Sequence, residues 1–419
     1  MAYYISGESD SDGRIIIINE NKWEVEKTKE IVSGQYEVGD LYGGNKTLCL
    51  RISDGKVLVY GKVNSYEKFL NKTLYVVGKN DSGQLGLGDT THRSTFSQVG
   101  SNDEWHCVST GGDKIVAIKN NGTMFSCGVD FFGQLGHGVS GVNRSTLTQI
   151  GSDSDWIDVK CGVFFSIAKK TDGTLYSWGH NNSGKLGLGT VNSESTPTKI
   201  GSDNDWFEFA CGDSHVVAIK NDGTLHAFGV NSNGQLGMNN RTNYSTPTKI
   251  GTSSNWIGVS CGYSHTLSLE TNGTLWGCGD NGGGQLGLGD IVNRSTLTQI
   301  GSTSNYKSIS CGYSHSALIS LDGSLWTCGA NFYGQLGIGY IGHRSTPTKV
   351  GTNTDWKDVY CAYNSTFHVS NDNNMYGLGI NTYGQLGLNN TTQYPTPQLI
   401  TTYSREIKFS GYNSVAVLV

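Results

Sequence analysis

The sequence predicts an all-β fold made of repeated four-stranded units, and two patterns support this prediction. A Gly-Gln-Leu-Gly phrase, or its Lys variant, recurs every 50 or 51 residues, and short β-branched and aromatic runs alternate with Asn-Gly or Asp-Gly turns. The phrase begins at Gly83, Gly133, Gly184, Gly234, Gly284, Gly334 and Gly384. Helical periodicity is not evident over any window of about eleven residues, except weakly near residues 66–70. A repeat of this length is typical of solenoids, propellers and arrays.

One well-preserved unit runs from Trp256 to Ile300 and contains four predicted strands. An alternating apolar run begins the unit, a second strand follows His265, and a third strand returns after the turn at Gly273. A Gly-rich loop from Asp280 to Gly289 then leads to the fourth strand. Four strands in about 50 residues are the content of one propeller blade, which must stack on its neighbours to bury its apolar face.

The repeated phrase occurs together with an aromatic-Gly pair, as in Trp178-Gly179 and Phe228-Gly229, and with a Cys-Gly-x-Ser-His strand, as in Cys261 to His265. This combination resembles the regulator of chromosome condensation repeat family over roughly residues 36 to 419. The resemblance implies a closed β-propeller, usually of seven blades. It implies no single activity, because the family contains exchange factors, photoreceptors, inhibitors and interaction modules.

The two ends of the chain carry additional strand-like sequence. Residues 1–35 are interpreted as a degenerate N-terminal half-blade or arm, 36–403 as the seven-repeat propeller, and 404–419 as C-terminal strands that close the ring. Pairing of the two ends would make an eighth blade and would remove exposed sheet edges. The alternative is a seven-bladed ring with residues 1 to about 35 as a separate arm or cap. We expect the split eighth blade.

Charge and hydropathy argue against two classes of partner. The net charge is −5, and the chain lacks a Lys/Arg cluster, so we expect no nucleic-acid partner. No apolar run approaches the length of a membrane span, and the Met1 start does not resemble a secretory signal.

Cysteine and histidine occur at repeated positions. Cys161, Cys211, Cys261, Cys311 and Cys361 share one strand position, and Cys127, Cys278 and Cys328 share another. Such regularity favours buried free cysteines over disulfides or metal chemistry. His215, His265 and His315 come in matched copies, so we interpret them as hydrogen-bonding links between strands or blades and not as metal ligands or catalytic groups.

Other repeated polar residues are also interpreted as structural. The Gly-rich loops lack a Gly-Lys-Ser/Thr ending and a following helix, which disfavours phosphate binding. Gln84 and its equivalents are expected to bind backbone within each loop, Leu85 and its equivalents to plug between blades, and Arg93 and its equivalents to anchor on carbonyls. The carboxylates before each opening Trp are interpreted as turn formers, as in Asp153 and Asp155. The sequence therefore predicts no catalytic residue, no metal site and no cofactor, and hence a protein that is not an enzyme.

Binding is expected where the copies differ, which is just before each Gly-Gln-Leu-Gly phrase. These loops should emerge on one rim of the propeller, and their aromatic residues are the candidates for partner binding: Phe131, Phe132, Phe332, Tyr333 and Tyr383. Aromatic side chains beside amides suit protein or glycan recognition. The alternative interpretation is that these aromatics pack on the next blade.

The sequence favours a non-enzymatic structural or binding module. The Gly-Ser-Asp-x-Asp-Trp linkers, as at 151–156, resemble stand-alone propellers of bacteria and their phages. On that resemblance we expect a virion or cell-surface component, assembled in the cytoplasm as part of a larger assembly, that recognises a host receptor, a glycan or a neighbouring structural protein. The alternative is a cytoplasmic regulator, either a small-GTPase exchange factor that uses residues 63–70 as a wedge or a propeller that inhibits an enzyme.

Overall fold

The computed structural model describes residues 72–419 except 102–103, 303–304 and 403–407, together with the strand backbones among the first 60 residues. All elements in these described parts are β-strands. The chain divides into two compact units, Met1–Lys68 and Phe69–Val419. The second unit therefore begins at residue 69, whereas the sequence analysis places the start of the propeller at residue 36.

The first unit contains a four-stranded antiparallel sheet and a separate two-stranded hairpin. The sheet has the order β1 (Tyr3–Tyr4), β2 (Ile15–Asn19), β3 (Lys22–Lys27) and β4 (Glu30–Gln35), and the hairpin consists of β5 (Cys49–Ser53) and β6 (Lys56–Tyr60). The strands of residues 3–35 thus pair with one another.

The described residues of the second unit form 28 strands. The first fourteen are β7 (Leu74–Gly78), β8 (Arg93–Gln98), β9 (Trp105–Gly111), β10 (Lys114–Lys119), β11 (Met124–Gly128), β12 (Arg144–Gln149), β13 (Trp156–Cys161), β14 (Phe165–Lys170), β15 (Leu175–Gly179), β16 (Glu194–Lys199), β17 (Trp206–Cys211), β18 (His215–Lys220), β19 (Leu225–Gly229) and β20 (Tyr244–Lys249). The others are β21 (Trp256–Cys261), β22 (His265–Glu270), β23 (Leu275–Gly279), β24 (Arg294–Gln299), β25 (Tyr306–Cys311), β26 (His315–Ser320), β27 (Leu325–Gly329), β28 (Arg344–Lys349), β29 (Trp356–Ala362), β30 (Ser365–Ser370), β31 (Asn374–Gly379), β32 (Tyr394–Thr402), β33 (Lys408–Gly411) and β34 (Ser414–Leu418).

These strands form seven four-stranded blades arranged as a β-propeller, which confirms the predicted fold class. Blades 2 to 7 each use four consecutive strands, from β9–β12 in blade 2 to β29–β32 in blade 7, while blade 1 has the order β33-β34-β7-β8. The first strand of each blade contacts the first strand of the next, from β9 through β13, β17, β21, β25 and β29 to β33, and β33 contacts β9. The first strands therefore make a closed inner ring.

The expected eighth blade is wrong, because the C-terminal strands complete the first repeat. β34 pairs antiparallel with β7, with Ser414 opposite Gly78 and Leu418 opposite Leu74. The third and fourth strands of blade 1 thus come from the beginning of the propeller, and its first and second strands come from the C-terminus. Because the ring is closed, every blade is covered by a neighbour on both sides.

Apolar burial occurs mainly between adjacent blades. One cluster joins Val116 and Ile118 of blade 2 to Val159 and Trp178 of blade 3, all of them buried. The leucine of each repeated phrase is also fully buried, which agrees with the predicted plug; these residues are Leu85, Leu135, Leu186, Leu236, Leu286, Leu336 and Leu386. Since each blade covers its neighbour, the blades stabilise one another.

The first glycine of the repeated phrase allows its loop to approach the next blade. Gly184 has a φ of 75°, and a Cβ at this position would lie 2.6 Å from the Cα of Ser245 in the fourth strand of blade 4. Only glycine fits both the backbone conformation and this close contact.

The glutamine of the phrase binds backbone within its own loop, as predicted. The Oε1 atom of Gln335 accepts a hydrogen bond of 2.9 Å from the amide of Tyr333, and that of Gln134 accepts one of 2.7 Å from Phe132.

Three buried histidines link neighbouring blades. Nε2 of His315 lies 2.9 Å from the hydroxyl of Thr366, and that hydroxyl lies 2.7 Å from the backbone oxygen of Gln335. Because a carbonyl can only accept, the Thr366 hydroxyl donates to Gln335 and accepts from His315, which fixes the tautomer. The equivalent chains run from His265 through Ser316 to Gln285 and from His215 through Thr266 to Gln235. The predicted role of these histidines as links between blades is confirmed.

The cysteines in the described part of the chain are all free. Cys127, Cys278 and Cys328 are buried, and their Sγ atoms lie 3.4 to 3.6 Å from the backbone oxygen of a glutamine in the preceding blade. They act as small buried side chains, as predicted, and Cys261 and Cys311 are buried too. The other three cysteines that were expected to be buried, Cys161, Cys211 and Cys361, are only half-buried.

The carboxylates before the opening tryptophans do more than form turns. Nζ of Lys170 lies 2.7 Å from Asp153 and 3.0 Å from Asp155, and it also lies 4.7 Å from the ring centre of Trp156. Lys220 repeats this arrangement with Asp203, Asp205 and Trp206. The sequence analysis missed this ion pairing, because the lysine lies at the far end of the second strand.

The hydroxyl between two blades can be tested by substitution. Thr366→Val keeps the shape of the side chain but leaves the His315 Nε2–H and the Gln335 carbonyl without their buried partner. We expect the free energy of unfolding to fall by about 1–3 kcal/mol, measured by urea denaturation. Thr246→Val, at an exposed position of a fourth strand, is the matched control and should change stability little. An equal effect of both substitutions would contradict the assigned role.

The buried histidines also predict a dependence of stability on pH. Burial lowers the pKa of His215, His265 and His315 to about 3, whereas the unfolded chain takes up these protons near pH 6.5. The stabilisation is therefore complete above pH 6.5 and is lost as the pH falls towards 3, with a slope of up to about 1.4 kcal/mol per pH unit for each histidine. Denaturation between pH 7.5 and 4.5 should show a shallower slope for His265→Gln. An unchanged slope would contradict this account.

Candidate functional site

The loops of the propeller emerge at two opposite ends. Because neighbouring strands in a blade are antiparallel, the loops after each first strand and after each third strand lie at the same end. We call this end the loop face and define it by these segments in every blade, for example 262–264 and 280–293 in blade 5. The opposite end, the turn face, carries the turns between second and third strands, for example 271–274.

Exposed apolar side chains are concentrated on the loop face. Of the fourteen large apolar side chains that are exposed in the described part of the chain, twelve lie on this face. They are Phe131, Phe132, Val139, Val142, Phe164, Val191, Tyr263, Ile291, Val292, Phe332, Tyr340 and Ile341. The other two are Leu321 in a turn of the opposite face and Leu399 in a fourth strand. The loop face is therefore the candidate interaction surface.

The five candidate residues from the sequence all lie on the loop face, with different exposure. Phe131 and Phe332 are 64% and 63% exposed, and Phe132 is 39% exposed, whereas Tyr333 and Tyr383 are half-buried. The structure therefore places three of them where a partner can reach most or part of the ring.

Two of the candidates also pack on the following blade, as the alternative interpretation expects. Phe132 stacks on His180 at 4.3 Å between ring centres and meets Phe164 edge-on at 5.6 Å. Tyr383 meets His92 of blade 1 edge-on at 5.2 Å. Phe132 thus packs on blade 3 and remains partly exposed.

Several residues that the sequence analysis grouped with the variable loop positions belong to the scaffold. The third residue before each repeated phrase is buried, and its side-chain oxygen accepts a hydrogen bond of 2.9 to 3.0 Å from the amide of the plugging leucine. These residues are Asn80, Asp130, Asn181, Asn231, Asn281, Asn331 and Asn381. Their near-identity between copies was visible in the sequence and could have identified them.

The sequence analysis missed the loops that follow the first strands, although these lie closest to the axis. They carry Phe164 and Tyr263, which are 38% and 40% exposed. They also carry a row of neighbouring tyrosines, Tyr263, Tyr313, Tyr363 and Tyr412. The recurrence of tyrosine after Cys-Gly in blades 5 and 6 was a signal that could have been used.

Blades 3 and 4 contain a polar group that breaks the repeat. Lys185 replaces the glutamine of the phrase and is buried, with Nζ 3.3 Å from Nδ1 of His180 and 3.2 Å from the hydroxyl of Ser214. The Ser214 hydroxyl lies 2.9 Å from a carboxylate oxygen of Asp213. Burial lowers the pKa of Lys185 and raises the pKa of Asp213. This group makes the loop face differ chemically from one blade to the next.

The arginines of the fourth strands anchor the ends of the loops. Nη1 of Arg294 donates to the backbone oxygen of Val292 at 2.5 Å, and Nη2 lies 2.6 Å from Asp290. Arg93 repeats this arrangement with Thr91 and Asp89. The predicted carbonyl anchor is confirmed for these two arginines and for Arg344, which donates to the backbone oxygen of His343. The carboxylate is an additional partner of Arg93 and Arg294.

We also searched the described residues for metal-binding groups and for helices that could span a membrane. Within the described residues, His, Cys, Asp and Glu form no group of three or more that could hold a metal ion. The same part of the chain has no helix with the length and apolar character required to span a membrane.

The family models match most of the propeller. A model described as the RCC1-like domain matches residues 152–418, and a model described as the regulator of chromosome condensation (RCC1) repeat matches residues 121–168.

Curated relatives match only over parts of their length. The chain is 28% identical over 184 residues to the protein RCC2 homolog of Danio rerio, which covers 42% of this chain and 37% of that protein. It is 35% identical over 116 residues to the ultraviolet-B receptor UVR8 of Arabidopsis thaliana, and this matched segment covers 27% of this chain and 26% of that protein. The match to the mouse E3 ubiquitin-protein ligase HERC2 is 34% identical but covers 28% of this chain and 2% of that protein. The matched segments thus span well under half the length of each of these relatives.

Solved structures support the fold. Human WBSCR16 has a TM-score of 0.74 at 18% identity and covers 83% of this chain and 98% of its own. Prp20p of Saccharomyces cerevisiae, whose structure was reported with its binding properties to Gsp1p and histones, has a TM-score of 0.74 at 19% identity and covers 85% of this chain and 94% of its own.

The one aspartate among the buried loop residues can be tested. Asp130 stands where the other six loops have asparagine, its Oδ2 is buried without a hydrogen-bond partner, and burial raises its pKa. Asp130→Asn removes a desolvated carboxylate, so we expect stability at pH 7 to increase by roughly 1 kcal/mol. Because the pKa is raised in the folded state, the gain should shrink as the pH falls towards 4. Thermal unfolding at both pH values checks this, and a loss of stability at pH 7 would contradict it.

Proposed function

Because the chain belongs to the RCC1-like domain family, we propose that it is a non-enzymatic protein-binding module that regulates its partner through the loop face. The observation that carries this proposal is the placement of twelve of the fourteen exposed large apolar side chains of the described residues on that face. Yeast Prp20, a propeller of the same fold, has been solved with Kap60 bound and was reported to bind Gsp1p and histones.

The loop face has the composition of a protein interface. Phe131 and Phe332 present exposed aromatic rings, and the half-buried carboxylate of Asp213 lies on the same face. Aromatic anchors surrounded by polar groups dominate the binding energy of many protein complexes. The opposite face, by contrast, carries one exposed large apolar side chain among the described residues, Leu321.

The relatives favour a regulator over the virion or surface component expected from the sequence. The chain is similar in sequence to RCC2 and UVR8 and similar in fold to yeast Prp20. Attachment to a host and glycan recognition find no support among them. The segment 63–70, expected as a wedge for a GTPase, lies outside the described residues. The location of the protein stays a prediction from the sequence.

Photo-crosslinking tests the proposed binding face. We expect a photoreactive phenylalanine at position 131 or 332 of the full chain to crosslink to a partner protein in native cell extract. Position 321, which holds the 43% exposed Leu321 of the turn face, is the matched control and should give no such adduct. Crosslinking from position 321 alone, or equally from all three positions, would overturn the proposal.

Affinity for the crosslinked partner can then be measured directly. Phe131→Ser and Phe332→Ser should each weaken binding by about 2 kcal/mol if these rings are anchors. Leu321→Ser should leave the affinity unchanged, and all three proteins should unfold at the same temperature because the substituted side chains are exposed. Unchanged affinity of both phenylalanine variants would contradict the proposal.

A further inference from the structure

Four tyrosines form a continuous arc around the axis of the loop face. The rings of Tyr263 and Tyr313 have centres 4.3 Å apart, those of Tyr313 and Tyr363 are 4.7 Å apart, and those of Tyr363 and Tyr412 are 4.6 Å apart. They belong to blades 5, 6, 7 and 1, and each follows the end of the innermost strand. We call these four residues the tyrosine arc.

The other three blades carry other residue types at the position that is equivalent to the tyrosines, and together the seven positions form a ring around the axis. Strand pairing aligns the tyrosines with Gly112 in blade 2, Val163 in blade 3 and Asp213 in blade 4. Adjacent loops are in direct contact, since a Cβ on Gly112 would lie 2.6 Å from the backbone oxygen of Val163. The ring therefore has an aromatic side of four residues and, next to Tyr263, one carboxylate.

The backbone of one residue in the tyrosine arc, Tyr363, is strained. Tyr363 has a φ of 49°, and the other non-glycine residues with positive φ in the described part of the chain are all asparagines. The amide of Tyr313 donates to the backbone oxygen of Tyr363 at 2.7 Å, which fixes the two loops together. A bulky residue in this conformation is strained, and such strain persists mainly where a site requires it.

Three rings of the arc, those of Tyr313, Tyr363 and Tyr412, are neutral and lie within electrostatic reach of the Asp213 charge. Burial raises the pKa of Tyr313 to about 12 and also raises the pKa of Tyr363 and Tyr412, and the Asp213 carboxylate contributes to each increase. Neutral aromatic faces and a carboxylate that act on the same space both attract a cation.

The nearby lysines are already engaged by the protein. Lys114 is buried and its Nζ lies 2.6 Å from the backbone oxygen of Gly162 and 3.2 Å from that of Val163. Lys185 is buried against His180 and Ser214. Neither lies within ion-pair distance of Asp213 among the described contacts, although both lysine charges act on this carboxylate and oppose the burial that raises its pKa. The hydrogen-bond partner of Asp213 is the Ser214 hydroxyl.

We propose that the tyrosine arc and Asp213 form a binding site for one basic side chain, a lysine ammonium or an arginine guanidinium, presented by the partner protein. This inference rests on the proposed function, because the cation is carried by the protein that docks on the loop face. The ring faces contribute cation–π attraction, Asp213 contributes a charge-assisted hydrogen bond, and the partner excludes water from both.

The site can be tested without knowing the partner. We use the full chain and four small probes: the N-acetyl methylamides of arginine, lysine, norleucine and glutamate. Saturation-transfer NMR at low ionic strength should show binding of the arginine and lysine probes and none of the neutral norleucine probe. Binding of the glutamate probe in their place would show that the lysines dominate the site and would overturn the proposal.

Substitutions distinguish this site from general surface binding. Asp213→Asn and Tyr313→Leu should each weaken the arginine probe at least tenfold, whereas Tyr313→Phe, which keeps the ring, should retain binding. Asp372→Asn, in an exposed turn of the opposite face, is the matched control and should have no effect. Equal binding by Asp213→Asn and the unchanged chain would overturn the inference.

The outcome is separable from that of the proposed function. Crosslinking from positions 131 and 332 together with failure of the cationic probes to bind would remove the basic side-chain site and keep the loop face as the interface. Binding of the cationic probes without crosslinking at either position would support the site and remove the proposed docking surface.

Discussion

The structure depends on the burial of each blade against its neighbour. The repeated loop of one blade inserts a leucine between blades, and the carbonyl of its glutamine accepts a hydrogen bond from the next blade, as Gln335 does from Thr366. A single four-stranded sheet cannot hide its apolar faces from water, so the stabilisation exists only in the stacked ring. Completion of blade 1 by β33 and β34 makes this arrangement closed.

The same dependence separates structural residues from candidate binding residues. Positions that link blades recur between copies: the plugging leucine is present in all seven blades, the buried asparagine in six and the histidine relay in three. Positions without such a structural role can vary, as Asp213 and Phe164 do. These departures fall on the loop face, where the exposed apolar side chains are also found. The residues that differ between blades are therefore the ones that can determine the binding specificity of the loop face.

Much of the fold could be predicted from the sequence because its cause is periodic and local. The turn at Gly273, the plug at Leu286 and the relay from His265 each follow from residue type and repeat position. The number of blades could not be decided this way, because both termini carry strand-like sequence and only pairing shows that Leu418 lies opposite Leu74. The recurrence of Tyr263 and Tyr313 was visible in the sequence, but the complete tyrosine arc was not, since Tyr412 joins Tyr363 only after the ring has closed.

Native-state hydrogen exchange measured by mass spectrometry tests the closed ring most directly. If the C-terminal strands complete blade 1, amides in β34 and β7 should exchange as slowly as those in β22 of blade 5, through the same global opening. Rapid exchange of residues 414–418, as in a frayed terminus, with the other blades still protected would contradict the account.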